Sequence, residues 1–423
     1  MKRFVTILTV LMFCGGVVQA QVKSLYVLNT LGQNLSWVNL QDGSVVKDAA
    51  TAGLYTNQVV LRNDRVYVIN SGDNEIQVLN AGDFTTVKRI DLGNGTNPYL
   101  MDFVNDSIAA VSLLFTNEVV LVNVARGIIQ SRIAVGTGPQ GVKYLGGKLY
   151  VANTGFNGQD YDPGTVSVID VALKTVVKTI PVSTNPQHID ADVLGNLYVA
   201  CTGNYADIPG KLEIIHSSAD TVIKTIDLGT SVTNVFVNNN RVFISTYGYG
   251  VFLYDLSGDT LMSRVLPGGP AIAFDADNNI YIGDFNKDSV FVYSSDFVAL
   301  AAYEVGDGPI SLAVYDPRFT TIGNGRSIAA AEQFVLYQNY PNPFNPQTTI
   351  NFRIHRNARV RLEVLNVFGQ TVRVLVDGFL PLGHHRVHWD GRDEGNKPLP
   401  SGVYFYQLRI GERSQVKKMH LIR

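Results

Sequence analysis

A five-residue strand motif returns seven times along this chain and constrains its fold more than any other feature. The motif is apolar or aromatic and ends near Asn, Ser or Asp. It stands at residues 25–29 (LYVLN), 66–70 (VYVIN), 108–112 (IAAVS), 149–153 (LYVAN), 197–201 (LYVAC), 242–246 (VFIST) and 280–284 (IYIGD). Copies are 38 to 48 residues apart. After most copies comes another strand pattern such as 165–170 (TVSVID), then a third such as 176–180 (VVKTI). A Gly/Asn/Pro turn then leads into a fourth, as at 136–139 (GTGP), 184–186 (TNP), 268–270 (GGP) and 307–309 (DGP). Four short strands in each unit of about forty residues is the blade pattern of a β-propeller. The first unit opens at its second strand, near Ser24, and an extra first strand, 310–315 (ISLAVY), is left after the seventh. Pairing the two would complete the array and remove an open sheet edge. The expected fold is therefore all-β, with a seven-bladed β-propeller over residues 21–317.

Within this stretch, LYVANTG, GTVSVID, VVKTIPV and NPQHI resemble the YVTN family of propeller repeats of bacterial and archaeal surface and periplasmic proteins, most closely over residues 140–226. The resemblance implies the fold. It says little of activity, because propellers host binding, scaffolding and catalysis alike.

The last ninety residues read differently. Runs such as 348–354 (TTINFRI), 360–365 (VRLEVL) and 403–408 (VYFYQL) alternate apolar and polar, with turn residues between them. Period two with such punctuation predicts a small Ig-like β-sandwich over residues 334–423. The segment carries Tyr340-Pro341-Asn342-Pro343-Phe344-Asn345-Pro346, then Gly369 in VFGQTVRVL, Trp389-Asp390-Gly391 and Ser401-Gly402-Val403-Tyr404. In this order the motifs resemble the C-terminal sorting domain of type IX secretion cargo, itself similar to the Ig-like domain of flagellar hook-capping proteins. The resemblance implies the type IX secretion machinery as a partner and delivery across an outer membrane, often followed by removal of the domain.

The N-terminus agrees with export. Lys2-Arg3 precede an apolar stretch to Val18, and Ala20 offers a small residue for cleavage, so residues 1–20 read as a signal peptide. Residues 318–333 read as a linker. No other segment has 18 apolar residues, so no transmembrane segment is expected in the mature chain. The expected location is the cell surface or medium of a two-membrane bacterium, reached through the periplasm.

Charge narrows the partners. Residues 21–333 hold 19 Lys/Arg against 30 Asp/Glu, whereas residues 334–423 hold 13 against 6. An acidic main body disfavours nucleic acid. Without Cys14, Cys201 is alone and lies in an apolar strand pattern, which reads as a buried thiol. No nucleophile elbow, zinc-protease or haem-attachment motif occurs, so no catalytic residues, metal or cofactor are expected. Asp275-Ala-Asp-Asn-Asn279 lacks the Gly and Glu of a calcium loop and reads as a hairpin turn. Aligning the innermost strands at their prolines puts no carboxylate at either of the next two positions, which argues against an axial metal site.

Two long loops remain, 153–164 and 201–210. Adjacent blades would bring Phe156, Tyr161 and Tyr205 beside Asp160, Asp162 and Asp207 on one rim, near His188. Aromatic rings beside acids and amides suit a carbohydrate or peptide. Non-catalytic recognition of an extracellular ligand is the leading expectation. A propeller lyase or lactonase-like hydrolase, or a structural surface-layer component, are the alternatives. Trp37 and Trp389 lie in strand patterns and are expected in the core.

Overall fold

The structure, a computed structural model, describes residues 22–318 and 334–423 apart from 355–357, 368, 381–382 and 412. The expected leader and all of the expected linker but Arg318 lie outside the described residues. Every regular element among the described residues is a β-strand. The chain divides into two compact units, residues 1–191 with 197–325, and residues 192–196 with 326–423.

The first unit contains seven four-stranded sheets, here I to VII. Their first strands are Pro309–Tyr315 (I), Thr56–Arg62 (II), Pro98–Phe103 (III), Pro139–Leu145 (IV), Pro186–Ala191 (V), Val232–Asn238 (VI) and Ala271–Phe274 (VII). Each is followed in space by three strands consecutive in sequence. Sheet I is the exception in chain order, because Pro309–Tyr315 pairs antiparallel with Ser24–Asn29 from the other end of the unit. The leftover strand thus fills the missing first position. The seven repeated motifs lie in the seven second strands, which are almost wholly buried. Burial on both faces explains why they read as unbroken apolar runs. The fourth strands alternate or are mostly exposed, as Thr221–Asp227 shows.

Packing joins each sheet to the next. One core cluster combines Tyr150 and Val168 of sheet IV with Val199 and Cys201 of sheet V. Another combines Leu25 and Val27 of sheet I with Tyr281 and Val290 of sheet VII. The first strands adjoin one another in order from II to VII, and Pro309–Tyr315 adjoins those of both VII and II. Hydrogen bonding keeps the seven sheets separate rather than merging them into one.

An innermost strand has one edge without a strand partner, and its N–H groups still need acceptors. Side chains of the preceding sheet supply them. Ser311 Oγ accepts from Val59 N at 3.1 Å and Gln58 Oε1 from Met101 N at 2.7 Å. Asp102 Oδ2 accepts from Tyr144 N at 2.8 Å and Asp190 Oδ2 from Val237 N at 2.7 Å. At the seam of sheets I and VII the staple is ionic. Lys23 Nζ lies 2.7 Å from Asp275 and 3.7 Å from Asp316, both with fully buried side chains, and Arg318 pairs with Asp277 and Asp316. Asp275-Ala-Asp-Asn-Asn279 is a hairpin turn, with Asp275 Oδ1 accepting from Asp277 N and Asn279 N.

The repeated Gly and Asn explain each other. The Asn153 amide ends a second strand and donates to Thr165 Oγ1 and Ser167 Oγ of the third. Asn29 and Asn70 bridge their third strands in the same way. Gly136, Gly53 and Gly306 pack directly on these amides, and a Cβ on Gly136 would sit 2.7 Å from the Asn153 amide carbon.

The second unit has a three-stranded sheet, Phe334–Leu336, Thr348–Ile354 and Gly383–Trp389, and a four-stranded sheet of Thr371–Leu380, Ala358–Leu365, Gly402–Ile410 and Arg413–Leu421. Their inner faces share one core that includes Phe344, Phe352, Trp389, Tyr404 and Tyr406.

Candidate functional site

Two families of loops lie together on one face of the first unit. In six of the seven sheets the residue after the second strand donates its N–H to the carbonyl just before the first strand of the same sheet. The pairs are Thr30 with Gly308, Ser71 with Tyr55, Leu114 with Asn97, Thr154 with Gly138, Thr202 with Asn185 and Tyr247 with Ser231. The loops of this face carry eight aromatic residues, Tyr55, Phe115, Phe156, Tyr161, Tyr205, Tyr247, Tyr249 and Phe285, whereas the turns at the opposite ends of the strands carry only Phe84 and Phe297. That asymmetry sets this face apart in composition. Tyr55, Phe115 and Tyr247 are each about two-thirds exposed or more.

The expected rim is assembled by its loops. Residues 154–164 fold back on themselves, with Asp162 N donating to Gly155 O, Asn157 N to Asp160 O, and Phe156 bridged to Tyr161. Gly155 and Gly203 make the pinches possible. Both have positive φ, and a Cβ would meet the carbonyl oxygens of Asp162 and Ile208 at 2.6 and 2.0 Å. The Phe156 and Tyr161 rings are 5.2 Å apart, and Tyr161 stands 6.4 Å from Tyr205 of sheet V. Tyr205 in turn stands 6.4 Å from Tyr247 of sheet VI. Gln187 Nε2 donates to Tyr205 Oη at 2.7 Å and also reaches Asn185. Tyr99 of sheet III lies within electrostatic reach of Tyr161 and Tyr205. Burial pushes its phenol up to about 12, and those two phenols add to the effect.

The three acids are exposed and serve the loops. Asp160 Oδ1 accepts from Tyr161 N, Asp162 from the Asn157 amide at 3.4 Å and Asp207 from the Asn204 amide at 2.7 Å. The Asn204 bond holds the Asp207 carboxyl below its usual range.

His188 departs from expectation. It packs on Phe236 with 5.3 Å between ring centroids and its Nδ1 faces Val235 N at 3.5 Å, so it is turned toward sheet VI rather than toward the aromatic rim. Burial lowers its pKa to about 4. The two positions that follow the prolines hold no carboxylate, but acids do stand farther along the innermost strands. Asp102 and Asp190 lie two residues beyond the positions that follow the prolines, and they converge on Lys143, whose Nζ lies 2.8 Å from Asp190 Oδ1. Burial raises the Asp102 pKa against the opposing pull of Lys143. Both acids are already engaged by backbone N–H groups, which makes them staples between strands. Among the described residues, no group of three His, Cys, Asp or Glu side chains is placed to hold a metal. Cys201 is buried and its thiol pKa is raised, first by burial.

In the second unit the motif residues separate into core and surface. Phe344, Trp389 and Tyr404 pack together, with Trp389 at 5.6 Å from Phe344 and 5.8 Å from Tyr404. Tyr340, Pro341, Asn342, Pro343, Asn345 and Pro346 are exposed, as are Gly369, Ser401 and Gly402. The exposed segment covers the last strand: Phe344 N donates to His420 O, Ile422 N to Phe344 O, and His420 N to Asn342 Oδ1. Asp390 is half-buried, and Gly391 is buried at positive φ, where a Cβ would crowd Leu421 and the Pro346 carbonyl. Trp37, expected in the core, is only partly buried and leans on Phe84.

Residues 341–412 match the FlgD Ig-like domain. No curated protein matches the chain. Among solved structures, Kuenenia stuttgartiensis hydrazine synthase is similar with a TM-score of 0.55 and 14% identity, over 63% of this chain and 94% of that one. A functionally unknown protein from Desulfotomaculum acetoxidans DSM 771 is similar with a TM-score of 0.54 and 13% identity, over 70% of this chain and all of that one. At such identities the likeness speaks to fold alone. No helix among the described residues is long and apolar enough to cross a membrane. The chain is an all-β protein of repeated four-stranded sheets with a FlgD Ig-like domain near its C-terminus.

Proposed function

We propose that the chain is an exported protein whose seven sheets are the blades of a closed YVTN-type propeller acting as a non-catalytic recognition module. The observation that carries recognition is the run of aromatic rings crossing sheets IV, V and VI, with Phe156, Tyr205 and Tyr247 exposed and Tyr161 half-buried, set in loops held by their own hydrogen bonds. Rings offered to solvent at fixed spacing lose little conformational entropy when a ligand stacks on them. The propeller reading is supported by the cyclic neighbour order of the first strands and by the pairing of Pro309–Tyr315 with Ser24–Asn29. The enzyme reading is weakened because Asp102 and Asp190 are occupied by Lys143 and backbone donors.

For the C-terminal domain, residues 334–423, we propose the role of a type IX sorting signal. The order of its motifs supports this, as does the Tyr340–Pro346 segment, exposed except at Phe344 and laid on the last strand. Residues 1–20 would be the signal peptide and 318–333 the linker where processing occurs, leaving the protein on the surface or in the medium.

Two measurements test these readings. Glycan and peptide arrays probed with the full chain should give a ligand whose binding falls at least tenfold in Tyr205→Ala with folding intact. Undiminished binding in Tyr205→Ala and Tyr161→Ala alike would place recognition elsewhere. In the native host, a surface or medium form lacking about the last ninety residues is expected. A full-length protein confined to the periplasm would overturn the sorting role.

A further inference from the structure

The charges around the aromatic run deepen that reading, on which this inference rests. The loops of the aromatic face carry six carboxylates, Asp73, Asp160, Asp162, Asp207, Asp288 and Asp307, and a single lysine, Lys287. That lysine is already paired with Asp284 at 2.7 Å. None of the six carboxylates forms an ion pair among the described residues, although each loop built by 154–164 and 202–210 is otherwise internally bonded. Loops with this excess of negative charge repel anions and draw cations.

The rings add a second, independent preference for positive charge. Tyr161 and Tyr205 meet at 54° with centroids 6.4 Å apart, and Tyr205 and Tyr247 meet edge to face. The face of a phenol ring is negative and attracts ammonium or guanidinium groups. The chain itself shows the preference at the same face, where the guanidinium of Arg264 sits 5.3 Å over the Tyr249 ring.

We propose that Tyr161 and Tyr205, with Asp160 and Asp207 in the same loops, form a receptor for the cationic side chains of a Lys- or Arg-bearing peptide. The rings would hold the ammonium or guanidinium group, and the carboxylates would steer it in and accept its hydrogen bonds.

The test uses the full chain and a fluorescent peptide alternating Lys and Gly, compared with the same peptide carrying acetylated lysines and with a panel of neutral glycans. The cationic peptide should bind and weaken as salt rises, and its acetylated form should bind at least tenfold less well. Tyr205→Leu and Tyr161→Leu should each weaken binding at least fivefold with an unchanged melting temperature, while Leu173→Ala, remote on the opposite end of sheet IV, leaves it unchanged. Equal binding of the acetylated peptide would overturn the proposal, as would undiminished binding by both tyrosine variants. Tyr205-dependent binding of a neutral glycan without binding of the cationic peptide would overturn it too, yet leave the recognition face standing. Binding of nothing at this face would remove both.

Discussion

His188→Gln should remove an acid-sensitive share of this protein's stability. The imidazole sits between sheets V and VI against Phe236, and burial lowers its pKa from 6.5 to about 4. Asp190 and Lys143 act on it in opposite directions, so burial remains the leading cause. Each tenfold loss of proton affinity corresponds to about 1.4 kcal/mol. A histidine with a depressed folded pKa is neutral in the fold and takes its proton in the unfolded chain first. Stability is therefore unaffected above pH 6.5 and falls as pH drops from 6.5 toward 4, by about 3 kcal/mol in all. Glutamine keeps an acceptor for Val235 N and does not titrate. Chemical denaturation of both proteins at several pH values from about 4 to 8 gives the difference directly. Wild type should lose about 3 kcal/mol relative to the variant between about pH 7 and 4. A difference that stays constant over that range would refute the burial of this imidazole as a neutral group.

Two further substitutions probe how the repeat is held together. Gly136→Ala would drive a methyl into the buried Asn153 amide, 2.7 Å away, and should cost about 2 kcal/mol, read as a lowered melting temperature. Lys23→Met leaves the buried Asp275 and Asp316 without their shared cation and should cost about 3 kcal/mol at pH 7. Burial alone would raise the Asp316 pKa, but Arg318 and two backbone donors hold it at about 2. The stabilisation from Asp316 is thus complete above about pH 4 and disappears as pH falls through 2, so the Lys23 effect should be measured near neutrality.

The repeat was legible because burial on both faces leaves little choice of residue. Leu149-Tyr-Val-Ala-Asn153 must be apolar along its length, and its terminal Asn must bridge the next strand while Gly136 makes room. The apolar run is imprinted at every copy, and the Gly and Asn pair at three of them, ending at Asn29, Asn70 and Asn153. The sandwich was legible for a similar reason: one buried and one half-buried face enforce strict alternation in Thr348–Ile354. The aromatic loops at 153–164 and 201–210 stood out by their length and composition.

Contacts between sheets left no comparable trace in the sequence. Tyr161, Tyr205 and Tyr247 lie more than forty residues apart in successive steps and meet only because neighbouring sheets set their loops side by side. The Asp102, Lys143 and Asp190 group also joins three sheets, and no local pattern relates its members. His188 illustrates the limit within a single strand. Its place on Pro186–Ala191 followed from the turn proline, but the direction of its ring was decided by Phe236 and the N–H of Val235 on the next sheet. Periodicity records which side of its own strand a residue occupies. Which neighbour it meets there depends on the packing of sheets distant in sequence, and that is settled only when the array folds.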